Sequence, residues 1–152
     1  MADGVFNIAK GKAGYYATLP AASDALIVVL LITTGLQADA TLADHDDLSA
    51  LLAAANDEAT FTNYARKVVT SAPGTVDDTN NWLDVTMSNL VWTSAGGGTN
   101  NSLGKLIVCY DSDTGAGTDA NIIPLTYHDF VATTDGTDLT ASITAPGFYR
   151  AA

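Results

Sequence analysis

The most regular hydrophobic pattern in the chain lies between residues 103 and 132. LGKLIVCYD (103–111) is rich in β-branched and aromatic residues and reads as a strand covered on both faces. SDTGAGTDAN (112–121) is nearly all loop formers, and IIPLTYHDFVA (122–132) re-enters an apolar run through Pro124, which suits the start of a strand and not its middle. The spacing predicts two central strands joined by an acidic, glycine-rich loop. ALIVVLLIT (25–33), bounded by Asp24 and Gly35, is too short for a typical helix and reads as a second strand buried on both faces.

The remaining pattern is shorter in period. Residues 46–55 carry Leu48, Leu51 and Leu52 on one helical face, with acidic residues at the start and Asp44 or Asp46 as the N-cap. Strands are expected at 64–71, 82–87, 90–93 and 139–143, with 147–149 closing the sheet, and turns or irregular backbone at 36–42 and 75–81. The pair 82–87 and 90–93 fits either a hairpin or two strands on opposite sheets. Asp135-Gly136 is a hairpin signal, and SAGGGTNNS (94–102) reads as a flexible loop outside any core. Before Tyr15 the chain has few core-forming residues, so residues 1–20 are expected to form an arm or extended segment, with a short extended piece at 14–18. The sum is about eight short strands and one helix, an antiparallel β-sandwich or barrel in a single domain over residues 21–152. Parallel α/β architecture is excluded by the missing crossover helices.

Composition narrows the partners. At 152 residues with 47% hydrophobic content, the chain can bury a core without disulfides or metal. Six basic against seventeen acidic residues give a net charge of −11, which repels phosphate backbones and disfavours nucleic acid. The single cysteine, Cys109, excludes an intrachain disulfide and fits a buried thiol made in a reducing cytoplasm. The apolar run at 25–32 is too short to cross a bilayer as a helix and lies too far in for a signal-peptide core.

Candidate chemistry concentrates in the acidic loop. Asp111, Asp113 and Asp119 could converge on a hard cation, although the spacing fails as an EF-hand and the same letters build solvated turns. Cys109, His128 and Asp129 suggest a nucleophile set. Strand alternation, however, points His128 away from Asp129, and Cys109 lacks an electropositive setting. Asp44-His45-Asp46-Asp47 is better explained by helix capping than by metal binding. Asn100-Asn101-Ser102 matches a glycosylation acceptor that lacks a secretory signal. Trp82, Trp92, Tyr15, Tyr16, Tyr110, Tyr127, Phe130 and Phe148 are expected in the core or at subunit contacts. No enzyme or cofactor is implied.

Several stretches, among them ALIVVLL (25–31), DEATFTNYARK (57–67), VWTSAGGGTNN (91–101), LGKLIVCYDSDT (103–114), NIIPLTYHDF (121–130) and TTDGTDLTASI (133–143), resemble a family of small virion proteins of tailed bacteriophages. KLIVCYD and IIPLTYHDF are the most specific, and the resemblance runs from about residue 25 to the C-terminus. It implies a structural role, most simply a decoration protein on the outer head surface. The partners would then be the major capsid protein and further copies of the chain, with a trimer suiting three-fold positions. It also admits a tail or fibre component that binds a host-surface glycan. The family supplies no catalytic motif.

Overall fold

The computed structural model describes residues 3–152. The chain is mostly β and antiparallel, with ten strands among the described residues, in three sheets that share one hydrophobic core. The main sheet has the order β1 (Gly4–Val5), β8 (Ile123–Thr133), β7 (Ser102–Asp111), β2 (Ala25–Ile32), β3 (Lys67–Val69). A three-stranded sheet orders β10 (Tyr149–Ala151), β5 (Trp82–Val85) and β4 (Gly74–Asp77), and a third pairs β6 (Leu90–Trp92) with β9 (Leu139–Ala141).

The centre is where the hydrophobic pattern puts it. β2 is buried from Ala25 to Leu31, and β7 is buried from Leu103 to Asp111, so both strands are covered on both faces. β7 pairs with β2 on one side and β8 on the other, with irregularities between Leu103 and Lys105 and between Val108 and Cys109. At the first of these, a Cβ on Gly104 would stand 2.7 Å from the end of the Leu36 side chain, which packs over the glycine and would have to shift to admit a larger residue. Pro124 is the second residue of β8, opposite Cys109 at the other irregularity, where the ladder is already interrupted.

Among the described residues the α-helices are three and short: α1 (Ala13–Ala17), α2 (Asp39–Leu42) and α3 (Leu48–Ala53). α3 is the expected helix in shortened form. Its N-cap is Asp47, which accepts from the Ala50 amide at 2.7 Å, in place of Asp44 or Asp46. α1 replaces the extended piece expected at 14–18, because Ala13 and Ala17, one turn apart, both bury against the sheets. α2 lies inside the stretch read as irregular. Residues 75–81 are strand as well as turn: β4 runs to Asp77, whose carboxylate then accepts from the Thr79 and Asn80 amides.

Two further expectations are corrected. Asp135-Gly136 does not join a hairpin, since β9 pairs with β6 and not with β8. That turn instead docks on the 94–102 loop, Gly136 N donating to Ala95 O at 2.8 Å and Ala95 N to Thr137 O at 2.9 Å. The 94–102 loop is accordingly pinned: Ala95 is fully buried, and Thr62, Asn100 and Thr134 satisfy backbone amides of Thr99, Gly97 and Asn101. β5 and β6 fall on different sheets. Residues 3–18 lie on the domain, with Phe6, Ala9, Ala13 and Ala17 at most 1% exposed, so the low density of large apolar residues there reflects close packing of small ones.

Candidate functional site

The loop between β7 and β8 folds through its own aspartates. Asp111 Oδ1 accepts from Asp113 N at 3.1 Å, and Asp113 Oδ1 from Gly115 N at 3.0 Å, both turns of the kind aspartate favours. Thr114 ties the loop to the stretch before β2 by donating N–H and Oγ–H to Ser23 O. Asp119 opens a short 3-10 turn and leaves the other two carboxylates for Arg66, at 2.6 and 2.9 Å. The three carboxylates singled out in the sequence are therefore not brought together. Asp111 and Asp113 line a shallow polar depression with Ser112, Ala116, Gly117 and Asn121, while Asp119 serves an ion pair. Among the described residues no group of three His, Cys, Asp or Glu side chains is placed to hold a metal ion.

Arg66 grips two carboxylates at once. Its other contacts run to Glu58 Oε1 and Oε2 at 2.8 and 2.7 Å, a bidentate pairing that guanidinium geometry favours. Glu58 also accepts from the Tyr64 hydroxyl at 2.7 Å, and that hydroxyl accepts from Leu30 N at 3.2 Å. The node links β2, the 58–66 connection and the acidic loop. Arg66 holds the Asp119 carboxyl below its ordinary range by hydrogen bonding, against the opposing effect of burial. Burial pushes the Tyr64 hydroxyl up.

A second node was not anticipated from sequence. Lys105, in the N-terminal half of β7, is fully buried, and its Nζ lies 2.7 Å from Asp39 on α2 and 2.5 Å from Asp129 on β8. The ammonium also sits 5.2 Å from the centroid of the Tyr127 ring. Burial pulls the lysine pKa down, but hydrogen bonds to Asp129 and Asp39 outweigh it and hold the group above the ordinary value. Asp129 is held low in return, chiefly by its bond to Lys105. The signal was a lysine inside KLIVCYD: a charge on a strand covered on both faces requires partners.

The remaining candidates fall to ordinary roles. His128 Nε2 lies 2.9 Å from Thr126 Oγ1 and Nδ1 lies 3.4 Å from Asp3, while Asp129 is on the other face with Lys105. Cys109 is fully buried opposite Pro124, and burial pushes its thiol up, away from the reactive thiolate. His45 Nε2 lies 2.7 Å from Gln37 Oε1, and Asp44 accepts from Asn7 at 2.5 Å, so the residue 44–47 cluster disperses into separate contacts. Asn101 Oδ1 accepts from Thr60 N at 2.6 Å. Trp92, Tyr110 and Phe148 are core residues, and Trp82, Tyr16, Tyr127 and Phe130 are half-buried. Tyr15 is 64% exposed.

Arg66 and Lys105, then, bind acidic groups of the chain itself and stiffen the two ends of the β7–β8 pair. Comparison with protein-family models, with curated proteins and with solved structures returned no match. Among the described residues no helix is long and apolar enough to cross a membrane.

Proposed function

We propose that this chain is a structural protein of a tailed-bacteriophage virion, a decoration protein that braces the outside of the head by contact with the major capsid protein. The observation that carries the reading is where the sequence resemblance falls. Its two most specific stretches, KLIVCYD and IIPLTYHDF, are the paired strands β7 and β8, the centre of the fold. A bracing protein works through stiffness and through area covered, and both are consistent with this body. Stiffness comes from the hairpin and its two ionic nodes. Coverable apolar area is offered by Val68 on β3, Val76 on β4 and Val131 on β8, exposed at 60, 68 and 77%. Several such contacts per copy, repeated over a lattice, make weak interfaces collectively tight, and a closed trimer suits three-fold positions.

The test uses empty heads that lack this chain, prepared from a phage whose genome encodes it. Purified chain is expected to co-sediment with those heads in fixed ratio and to raise the temperature at which they disrupt. Chain that stays in the supernatant while binding a host-surface glycan on an array would overturn the head assignment in favour of a tail or fibre role.

A further inference from the structure

The stretch from residue 3 to residue 18 has no core of its own. Its apolar side chains Phe6, Ala9, Ala13 and Ala17 all bury in the core shared with the sheets. It docks by defined contacts: Gly4 and Val5 pair with Tyr127 and Thr126, Phe6 N donates to Leu125 O at 3.0 Å, and Asn7 N to Ala43 O at 2.8 Å. The Phe6 ring meets Tyr127 edge-on at 5.5 Å, and Tyr16 stacks on Tyr110 at 4.7 Å. The fit is close, since a Cβ on Gly4 would stand 2.1 Å from the Tyr127 hydroxyl. The domain thus carries a socket whose complementary ligand is this segment.

The tether to that segment is strained. Leu19 has φ +55°, in the left-handed region that a leucine avoids, and it precedes Pro20, which drives its predecessor towards extended backbone. Pro20, Ala21, Ala22 and Ser23 are exposed, and the bend is closed by Ala21 N donating to Asp24 at 2.8 Å. Straightening the tether would release Leu19 into the conformation its sequence prefers. Extended, residues 19–24 would span about 20 Å.

We infer that residues 3–18 exchange between copies of this chain, each segment filling the socket of a second copy, reciprocally or around a closed ring. Every docking contact is kept, and the strain at Leu19 is released. Exchange is opposed by the loss of an intramolecular effective concentration, of millimolar order for a short tether, and by the loss of the Leu19 packing and the Ala21–Asp24 bond that the bend makes. It therefore appears when copies are crowded, whether in concentrated solution or side by side on a surface. Exchange is a property of the chain alone and stands even if heads fail to bind it.

Val5 and Thr126 face each other across a non-hydrogen-bonded position of the β1–β8 pair, next to the bonded Phe6–Leu125 position, where cross-strand Cβ atoms come closest. Full-length Val5→Cys, isotopically labelled, is mixed with unlabelled full-length Thr126→Cys at about millimolar concentration and then oxidised. Exchange is expected to yield a disulfide-linked heterodimer of mixed mass, several-fold less of it when Leu19→Gly is added to both chains. Cys109 stays out because it is buried. Absence of the heterodimer, or a yield unmoved by Leu19→Gly, overturns the inference. Should either cysteine variant fail to fold, light scattering on the unaltered chain at the same concentration decides. Dimers or rings are expected, and a strictly monomeric chain overturns it.

Discussion

The two ends of the β7–β8 pair are held by the same chemistry in opposite arrangements. At the Lys105 end the cation is 0% exposed, and its carboxylates, Asp39 and Asp129, are 27 and 26% exposed. At the loop end the cation itself reaches water, with Arg66 28%, Glu58 21% and Asp119 36% exposed. The contrast in exposure decides which partner matters. A buried cation stripped of its carboxylates has nowhere to go, whereas a carboxylate stripped of its cation at the surface rehydrates. The Lys105 end should therefore be sensitive to loss of its acids and tolerant of loss of its base. The Arg66 end should show no such asymmetry.

The largest effect is expected from Asp39→Asn with Asp129→Asn, which leaves the Lys105 ammonium buried without an anion. Urea denaturation should show a loss of about 3 kcal/mol or more. Arg66→Met comes next, at about 1 kcal/mol by the same assay, because hydration screens both of its pairs. Lys105→Met should stay within about 1 kcal/mol of the parent, since methionine fills the same channel and both aspartates turn to solvent. If Lys105→Met proved as damaging as the double aspartate change, the asymmetry would be broken.

Acid sharpens the same contrast. Asp119 and Asp129 are held below the ordinary aspartate value of 3.8 by Arg66 and Lys105. A depressed folded-state pKa contributes stability that is present above 3.8 and is lost as pH falls through the lower folded value. Urea midpoints measured from about pH 5 to 2 should therefore drop steeply in the parent and less steeply in Arg66→Met. The smallest effect concerns the acidic loop. With Asp119 occupied by Arg66, millimolar calcium should leave the melting temperature unchanged within about one degree.

How far the sequence reaches is clear from particular residues. β2 and β7 were legible because strands covered on both faces write continuous apolar runs, and Ala25–Ile32 and Ser102–Asp111 do, while β8, half-buried over most of its length, was legible from the apolar run that enters through Pro124. α1 was not, because Ala13 and Ala17 are small residues whose burial depends on sheets that come later in the chain. The Asp135-Gly136 turn was read correctly as a turn and wrongly as a hairpin. Its partner is Ala95, chosen by tertiary contact and not by its neighbours. The acidic loop was found, but the capture of Asp119 by Arg66 spans 53 residues of sequence and leaves no local pattern. Lys105 was legible in hindsight, since a lysine inside a buried strand announces its carboxylates without saying which they are.

The stiffness of the β2–β7–β8 centre, tied at both ends, holds the rest of the body in place. Native-state hydrogen exchange measures it most directly. The amides of Ile107 and Val108 on β7 should exchange only through global unfolding, and more slowly than those of β4 and β5. Ile107 and Val108 exchanging through a local opening, at or above the rate of the β4–β5 pair, would contradict it.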